Sequence, residues 1–212
     1  MPRNRRITYK RGFYHIFNRG HNKGKIFNDQ SDYEVLLLRL TKLLEEGDWS
    51  IYSYCLMPNH YHFLIEEKNI PVAKFVSRLF TSYSIYFNKK YHRFGYLFQD
   101  RYKSKIIQKE KYFLTVSRYI HLNPFYSGLT DKPEEYRYSS LGEYTDNGKR
   151  KIIDFKKVSI LIGESKKTLD QYLEFVRDGM NKDKDYDPFD DKKEIFGSPV
   201  FATHRKMRDF GL

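Results

Sequence analysis

Helical and strand-like patterns alternate along the first 125 residues, and this alternation limits the possible folds more than any other feature. Apolar residues recur at helical spacing over 33–44 and 72–87, as expected of helices that bury one face. Short aromatic and β-branched runs occupy 13–17, 49–56 and 60–65, and such runs predict strands. The order strand, helix, strand, strand, helix indicates a sheet covered by helices.

Local signals mark the ends of the first helix and the turn of a hairpin. Ser31 and Glu34 have the spacing of a capping box, and Gly47 is placed to end the helix. Met57-Pro58-Asn59 separates the second and third strands, so these strands are expected to form a β-hairpin.

The remaining elements of the main domain complete the fold prediction. A further strand is predicted within 96–107, and a third helix from about Glu110 until Pro124, because proline disrupts a helix interior. The sequence predicts an α+β fold in which a ferredoxin-like or RRM-like antiparallel sheet carries helices on one face. We expect this domain to cover residues 1–130.

Residues 131–212 are expected to form a small helical C-terminal appendage and a flexible tail. Short helical patterns with balanced charge occur at 134–145, 154–162 and 165–178. An acidic stretch follows from Asp183 to Glu194.

The net charge of +12 lies entirely in the first part of the chain. Residues 1–130 contain 22 Lys and Arg against 10 Asp and Glu, whereas residues 131–212 contain 17 basic and 17 acidic residues. A basic surface binds polyanions, because each neutralised phosphate releases counterions. The charge favours nucleic acid as the partner, although an acidic protein or an anionic membrane would also fit it.

Several classes of protein are disfavoured by what the sequence lacks. Cys55 is the only cysteine, which excludes an intrachain disulfide and a thiolate zinc cluster, and we expect it to be a small buried strand residue. No stretch approaches the ~18 apolar residues of a membrane span, and the basic start is not followed by an apolar segment. We therefore expect a cytoplasmic protein. No glycine-rich phosphate loop supports nucleotide-driven chemistry.

His60 and His62 form the first candidate site. Side chains alternate faces along a strand, so these imidazoles project from the same side while Tyr61 projects from the other. Neutral imidazole binds borderline divalent metals, and two histidines supply half of a site that needs one or two more ligands. The alternative is a pair of partly buried or surface histidines with no ligand role.

Tyr119 and Asn123 are the second candidate pair, since residues four apart share one face of a helix. An Asn side-chain oxygen suits a hard metal ion, and a tyrosine oxygen can attack phosphorus once it loses its proton. Asn123 precedes Pro124, which disfavours helical geometry at that residue. Because the chain has 19 tyrosines, packing is the alternative role for any one of them.

Basic residues interleaved with aromatic residues form a third feature, at 11–15, 18–20 and 98–105. Single-stranded nucleic acid needs both, cations to follow the backbone and rings on which unpaired bases stack at ~1–3 kcal/mol each. A sheet with an aromatic core and a solvated charged face is the alternative. The candidate DNA contacts are Arg3, Arg5, Arg6, Arg11, Arg19, Arg101, Lys103 and Lys105.

Four blocks of the sequence, read in order, resemble the motifs of one protein family. They are YHIFNRG at 14–20, YCLMPNHYHFLI at 54–65, LFQDRYKS at 97–104 and RYIHLNP at 118–124. Together they resemble the REP-associated tyrosine transposases, a branch of the single-tyrosine HUH transposases. The resemblance spans about residues 11–145.

The resemblance implies a metal-dependent enzyme that nicks and rejoins single-stranded DNA. It implies that His60, His62 and Asn123 bind Mg²⁺ or Mn²⁺ and that Tyr119 is the nucleophile. The tyrosine would attack a phosphodiester and leave a 5′-phosphotyrosine and a free 3′-OH, and a later 3′-OH would reverse the step. The implied substrates are short imperfect palindromes that fold as hairpins, and the implied assembly is a monomer or a homodimer.

The sequence departs from the family pattern after Pro124. Residues 125–128 are Phe-Tyr-Ser-Gly where the family usually has Val-Arg-Ala-Gly, so one expected basic contact is missing and the phosphate contact that it would make near the site is in question. Tyr126 is a rival nucleophile, but it lies beyond the proline that is expected to end the helix, which favours Tyr119. His121 is two residues from Tyr119 and points elsewhere on a helix, so we expect a structural role for it.

Two other functions would share these features. A catalytically silent hairpin-DNA-binding protein would have the same charge and aromatic residues, but it would not require the full set of two histidines, tyrosine and asparagine. A replication-initiator or relaxase-type nickase would share the histidines and the tyrosine, and the lack of an obvious ATP-binding segment disfavours it. The general base is unassigned, with Asp100 and Glu66 near the motifs.

Overall fold

Four antiparallel strands and three long helices form the part of the chain that carries the candidate residues. The computed structural model describes residues 8–144, 152–162, 166–181, 195–196 and 198. In chain order the elements are β1 (Phe13–Arg19), α1 (Gln30–Leu44), β2 (Trp49–Met57), β3 (His60–Glu67), α2 (Val72–Lys90), β4 (Lys103–Ile107) and α3 (Lys109–Tyr126). These strands lie in the order β2-β3-β1-β4, with every neighbouring pair antiparallel. This arrangement of a split βαβ sheet confirms the predicted α+β, ferredoxin-like class.

Helices cover both faces of the sheet. On β3 the ring of Tyr61 stacks on Phe80 of α2 at a centroid separation of 4.0 Å, whereas the next residue, His62, faces Tyr119 of α3. Helices α1 and α2 share the first face, as predicted, and α3 is an additional helix on the second face. Every residue of β2 is buried, as expected of a strand that is covered on both sides.

The first helix begins at a different cap from the one that the sequence indicates. Asp29 is the N-cap, and it forms the two capping-box hydrogen bonds with Asp32. This pair takes the place of the predicted capping box of Ser31 and Glu34. The buried Asp32 carboxylate also accepts hydrogen bonds from Tyr86 and Lys90 of α2. These tertiary contacts join the start of α1 to the end of α2, and they favour Asp29 over Ser31 as the N-cap.

The predicted strand over 96–107 is confined to β4, and residues 91–102 form a loop, called here the 91–102 loop. Backbone hydrogen bonds join this loop to the end of β1 and the residues just after it, without forming a continuous strand ladder. The N–H of His21 donates to the Leu97 carbonyl, and the N–H of Gln99 donates to the Arg19 carbonyl. Gly95 has φ +86°, a left-handed conformation that breaks strand geometry.

Helix α3 does not stop at Pro124, contrary to the prediction. Pro124 lies within the helix, which ends at Tyr126, and the Ser127 N–H donates to the Asn123 carbonyl at 3.0 Å. Proline removes one N–H donor from the helix. Because Pro124 is only two residues from the C-terminal end, the residues after it still complete the last turn. Asn123 therefore keeps its helical relation to Tyr119.

The described residues beyond 130 pack back onto the sheet and α3. Their elements are a 3₁₀ turn (Pro133–Glu135), α4 (Leu141–Tyr144), α5 (Phe155–Ile162), α6 (Lys166–Asp178) and β5 (Ile195–Phe196). The helical predictions at 154–162 and 165–178 match α5 and α6, whereas the 134–145 pattern divides into the 3₁₀ turn and α4. Strand β5 pairs parallel with β4 and makes the sheet five-stranded and mixed. The predicted acidic tail from Asp183 to Glu194 lies outside the described residues.

A buried polar network connects α3 to these C-terminal elements. The Ser117 hydroxyl lies 2.7 Å from that of Ser53 on β2 and 2.8 Å from that of Tyr172 on α6. The two ring nitrogens of His121 lie 2.8 Å from Tyr172 Oη and from Ser140 Oγ. Because buried polar groups are costly without partners, this network fixes α3 against both β2 and α6. His121 thus has the structural position that was expected of it.

Cys55 is fully buried in β2, and burial raises the pKa of its thiol, in agreement with a packing role. In the part of the chain that the structure describes, no helix combines the length and apolar character needed to cross a bilayer.

Candidate active site

The two candidate histidines project from β3 onto the face that α3 covers. Their ring centroids are 5.3 Å apart with nearly perpendicular planes. His60 is partly buried and His62 is 5% exposed. Strand alternation therefore places both imidazoles on one side of the sheet, as predicted.

Each histidine has a hydrogen-bond partner at Nδ1. His60 Nδ1 lies 2.6 Å from Asn59 Oδ1, and His62 Nδ1 lies 2.9 Å from Nε2 of His15 on β1. Burial lowers the pKa of His60 to about 4 and that of His62 well below its usual value. Both rings are therefore neutral near pH 7, and the Nδ1 atom of each is engaged in a hydrogen bond.

Tyr119 and Asn123 approach this pair from α3. The Tyr119 ring stands edge-on to His62, with centroids 5.7 Å apart. Asn123 Nδ2 donates to the Tyr119 carbonyl at 2.6 Å, and a hydrogen bond between the Asn123 side chain and His60 raises the His60 pKa against the effect of burial. The structure thus brings together the four residues that the sequence proposed for the site.

A cavity of about 570 Å³ joins these four residues to three of the predicted cations, Arg19, Arg101 and Lys103. Arg19 is paired across the sheet with His60, and Lys103 with Phe17. Arg19 Nε donates to Gln99 Oε1 at 2.5 Å, so the 91–102 loop helps to hold this guanidinium. The site combines neutral imidazole nitrogens with a positively charged wall, which suits a phosphodiester.

The residues present fit a divalent cation with open coordination positions. Within the described ranges no group of three or more His, Cys, Asp and Glu side chains is placed to hold a metal, so a third side-chain ligand beside the two histidines would come from another residue type, and Asn123 offers an amide oxygen. Two imidazole nitrogens and one amide oxygen would leave coordination positions for water and phosphate oxygens.

Two further predicted cations, Lys105 and Arg11, do not join the site. Lys105 lies on β4 beside His15 and is only 5% exposed, so its ammonium is not on the surface of the cavity. Arg11 is exposed but precedes β1 at the end opposite Arg19, and β1 itself spans roughly 20 Å at ~3.3 Å per residue step. Arg3, Arg5 and Arg6 lie outside the described residues.

The two acids considered as general bases are separated by the fold. Asp100 lines the same cavity as Tyr119. Glu66 lies at the far end of β3, where it forms ion pairs with Lys109 and Lys157. Of the two, only Asp100 is positioned near the candidate nucleophile.

Tyr126 is directed away from the histidines. Its hydroxyl donates to the Gly179 carbonyl at 2.5 Å, which ties the end of α3 to the residues after α6. The rival nucleophile is therefore engaged in packing of the C-terminal elements.

His15 is a site residue that sequence reasoning missed. It is 1% exposed, and its ring lies parallel to His62 at 5.2 Å and edge-on to Tyr119 at 5.9 Å. Its position in β1 between Phe13 and Phe17 indicates only that it shares their face. The register of β1 against β3, which brings it to His62, is not contained in either strand alone.

A ferredoxin-like sheet that presents a His-x-His pair to a tyrosine on a covering helix is the arrangement expected of a single-tyrosine transposase. The family model described as IS200-like transposase matches residues 8–123. This chain belongs to that family, and the resemblance found in the sequence is confirmed.

Solved structures support the same fold. The structure of a REP-associated tyrosine transposase bound to a REP hairpin superposes with a TM-score of 0.57 at 18% identity, covering 70% of this chain and 87% of the other. A Deinococcus radiodurans protein assigned as a transposase matches at TM-score 0.39 and 17% identity, over 57% of this chain and 95% of the other, too distant to carry an argument. No curated protein matches the sequence.

Proposed function

We propose that this chain is a metal-dependent transposase that nicks and rejoins hairpin-forming single-stranded DNA with Tyr119 as the nucleophile. One observation carries the proposal: Tyr119, His60, His62 and Asn123 line one cavity, although the sequence places them on different elements. Membership of the IS200-like transposase family supports it. We assign the chemistry to residues 1–130 and treat residues 131–212 as the appendage that braces them.

The substrate is proposed to be single-stranded DNA that carries a hairpin. Arg19, Arg101 and Lys103 line the cavity, so cations surround the place where a scissile phosphate would meet Tyr119. A transposase of like fold is bound to a REP hairpin, which supports a hairpin substrate here.

His60, His62 and Asn123 would hold the metal ion, through the two Nε2 atoms and the amide oxygen. When bound, Mg²⁺ or Mn²⁺ would polarise the phosphoryl group and offset the charge that develops there. The hydrogen bonds that His60 donates to Asn59 and His62 donates to His15 would fix the orientation of the two rings before any ion binds.

The chemical step is an exchange of phosphate esters. The Tyr119 phenol loses its proton and its oxygen bonds to phosphorus, while the bond from phosphorus to the 3′ oxygen breaks and that oxygen gains a proton. The product is a 5′-phosphotyrosine and a free 3′-OH. Attack by a 3′-OH on the tyrosyl ester reverses the step, and because the ester conserves the bond no ATP is needed.

The experiment incubates labelled single-stranded hairpin oligonucleotides with the protein and Mn²⁺ and looks for a covalent protein–DNA adduct. Wild type and Tyr126→Phe are expected to form the adduct. Tyr119→Phe, and wild type in EDTA, are expected to form none.

Each result has a distinct meaning. An adduct that persists in Tyr119→Phe and disappears in Tyr126→Phe would move the nucleophile to Tyr126. Tight hairpin binding with no adduct from wild type, over a broad panel of hairpins and both metals, would support a silent DNA-binding protein instead.

A further inference from the structure

The 91–102 loop holds two aromatic side chains in solvent. Phe94 is 98% exposed and Tyr96 is 87% exposed. Single exposed apolar residues are common on protein surfaces, but two large rings two residues apart on one loop form a local apolar surface without a partner in the described chain.

Contacts on both sides of the two rings anchor this loop. On the α2 side, Asn88 Nδ2 donates to the Gly95 carbonyl at 2.9 Å. On the other side Leu97 is buried, and the Phe98 ring packs edge-on against Phe80 at 5.3 Å. The exposure of Phe94 and Tyr96 is therefore imposed by an anchored backbone, with Gly95 as the left-handed residue between them.

The surface beside Tyr96 continues into the candidate active site. A second cavity of about 450 Å³ is lined by Tyr96 and Leu97 together with Gln99, Asp100 and Arg101. The last three residues also line the cavity that contains Tyr119. A DNA strand that leaves the Tyr119 cavity along this shared wall would reach the exposed ring of Tyr96.

Charge around the rings favours a nucleic acid over an apolar protein segment. Lys89, Arg93 and Arg101 are exposed on the same stretch, and Asp100 is its only acid between residues 89 and 101. Unpaired bases present flat faces that stack on aromatic rings, and cations follow their phosphates. In a duplex those faces are covered by neighbouring base pairs, so the rings suit single strands.

We propose that Phe94 and Tyr96 form a stacking platform for unpaired bases of the DNA strand whose phosphodiester enters the Tyr119 cavity. The proposal rests on the proposed function and assigns the single-stranded segment beside the hairpin to the 91–102 loop. It predicts that the platform contributes to binding of flanking single strands and not to binding of the hairpin stem.

The test measures binding of the full chain in EDTA, so that no cleavage occurs. One probe is a hairpin with a single-stranded flank that carries 2-aminopurine at successive positions, and the other is the same hairpin with blunt ends. Phe94→Ala and Tyr96→Ala are each expected to weaken binding of the flanked hairpin roughly tenfold, within the range for loss of one stacked base. Binding of the blunt hairpin is expected to be unchanged.

Two controls define the result. Tyr96→Phe keeps the ring and is expected to keep wild-type affinity, and Ile85→Ala removes an exposed apolar side chain of α2 and is expected to have no effect. Quenching of 2-aminopurine at one flank position should be lost in Tyr96→Ala.

Three outcomes would overturn the proposal. If a double variant carrying both Phe94→Ala and Tyr96→Ala binds the flanked hairpin like wild type, the flank is recognised elsewhere and the proposed transposase function is unaffected. If it loses affinity equally for flanked and blunt hairpins, the rings do not act on single strands. If wild type binds neither probe, the proposed function fails together with the platform.

Discussion

The Nε2 atom of His15 lies 2.9 Å from the Nδ1 atom of His62. If His62 binds a metal ion through Nε2, its single proton resides on Nδ1 and is donated to His15. His15 is then the acceptor that sets both the tautomer and the ring orientation of a candidate ligand.

Replacing His15 with Phe should lower the affinity for Mn²⁺ roughly 10- to 100-fold, because His62 loses the acceptor that orients it. His15→Gln offers an amide oxygen in a similar place and should restore most of the affinity. The measurement is titration of Mn²⁺ by electron paramagnetic resonance, with the thermal midpoint of the metal-free protein as the check on folding. Wild-type Mn²⁺ affinity in a folded His15→Phe protein would rule out the positioning role.

Arg19→Gln should weaken binding to hairpin DNA and reduce the dependence of log K on log salt concentration. Arg19 is exposed in the cavity beside His60, so it should neutralise one phosphate, and each such contact contributes roughly 0.9 to the slope. Arg78→Gln is the matched control, because Arg78 lies on α2 over the other face and pairs with Glu46. Equal slopes for the two variants would place the DNA path away from Arg19.

A mixture of two inactive proteins, Tyr119→Phe and a His60→Ala, His62→Ala double variant, should form no covalent adduct. Tyr119 faces His62 of its own chain, with ring centroids 5.7 Å apart, so a complete site is assembled within one molecule. The adduct assay of the mixture is compared with wild type at half the total concentration. Recovery of adduct to a substantial fraction of wild type would instead show that subunits exchange tyrosines.

Buried His121 should make the protein less stable in acid. Burial lowers its pKa from 6.5 to about 3, so the unfolded chain binds a proton more readily than the folded one. The stability is complete above the unfolded pKa of 6.5 and is lost progressively as the pH falls towards the folded value. One such histidine lowers the free energy of unfolding by about 2 kcal/mol at pH 5 relative to pH 8.

Urea unfolding in EDTA at pH 8 and pH 5 would measure this cost. His121→Gln should lose less stability between the two pH values than wild type, by about 2 kcal/mol, whatever its stability at pH 8. An identical pH difference in the two proteins would show that His121 does not titrate on unfolding in this range.

The elements with strong periodicity were predictable from sequence. Helices α1 and α2 and the β2–β3 hairpin follow local patterns of apolar residues, turns and helix spacing, and their order alone defines the split βαβ sheet. The His60–His62 pair follows from strand alternation and Tyr119–Asn123 from helix spacing. Each pair shares a face whatever the rest of the fold does.

Features that depend on contacts between distant elements were not predictable. Pro124 was expected to end α3, but a proline this close to the C-terminal end of a helix removes only one N–H donor and the helix continues to Tyr126. Lys105 was expected to contact DNA, but its position opposite His15 buries it. Asp29 rather than Ser31 caps α1, because its capping-box partner Asp32 also accepts hydrogen bonds from Tyr86 and Lys90.

The buried network of Ser117 and His121 links described residues of the C-terminal part of the chain to the helix that carries the candidate nucleophile, Tyr119. The IS200-like match ends at residue 123, yet Ser140 and Tyr172, both beyond it, hold the two ring nitrogens of His121, two residues from Tyr119. A substitution that changed the packing of α6 against α3 would move Tyr119 without altering any motif residue. The position of Tyr119 is therefore set in part by residues outside the region that the family model matches.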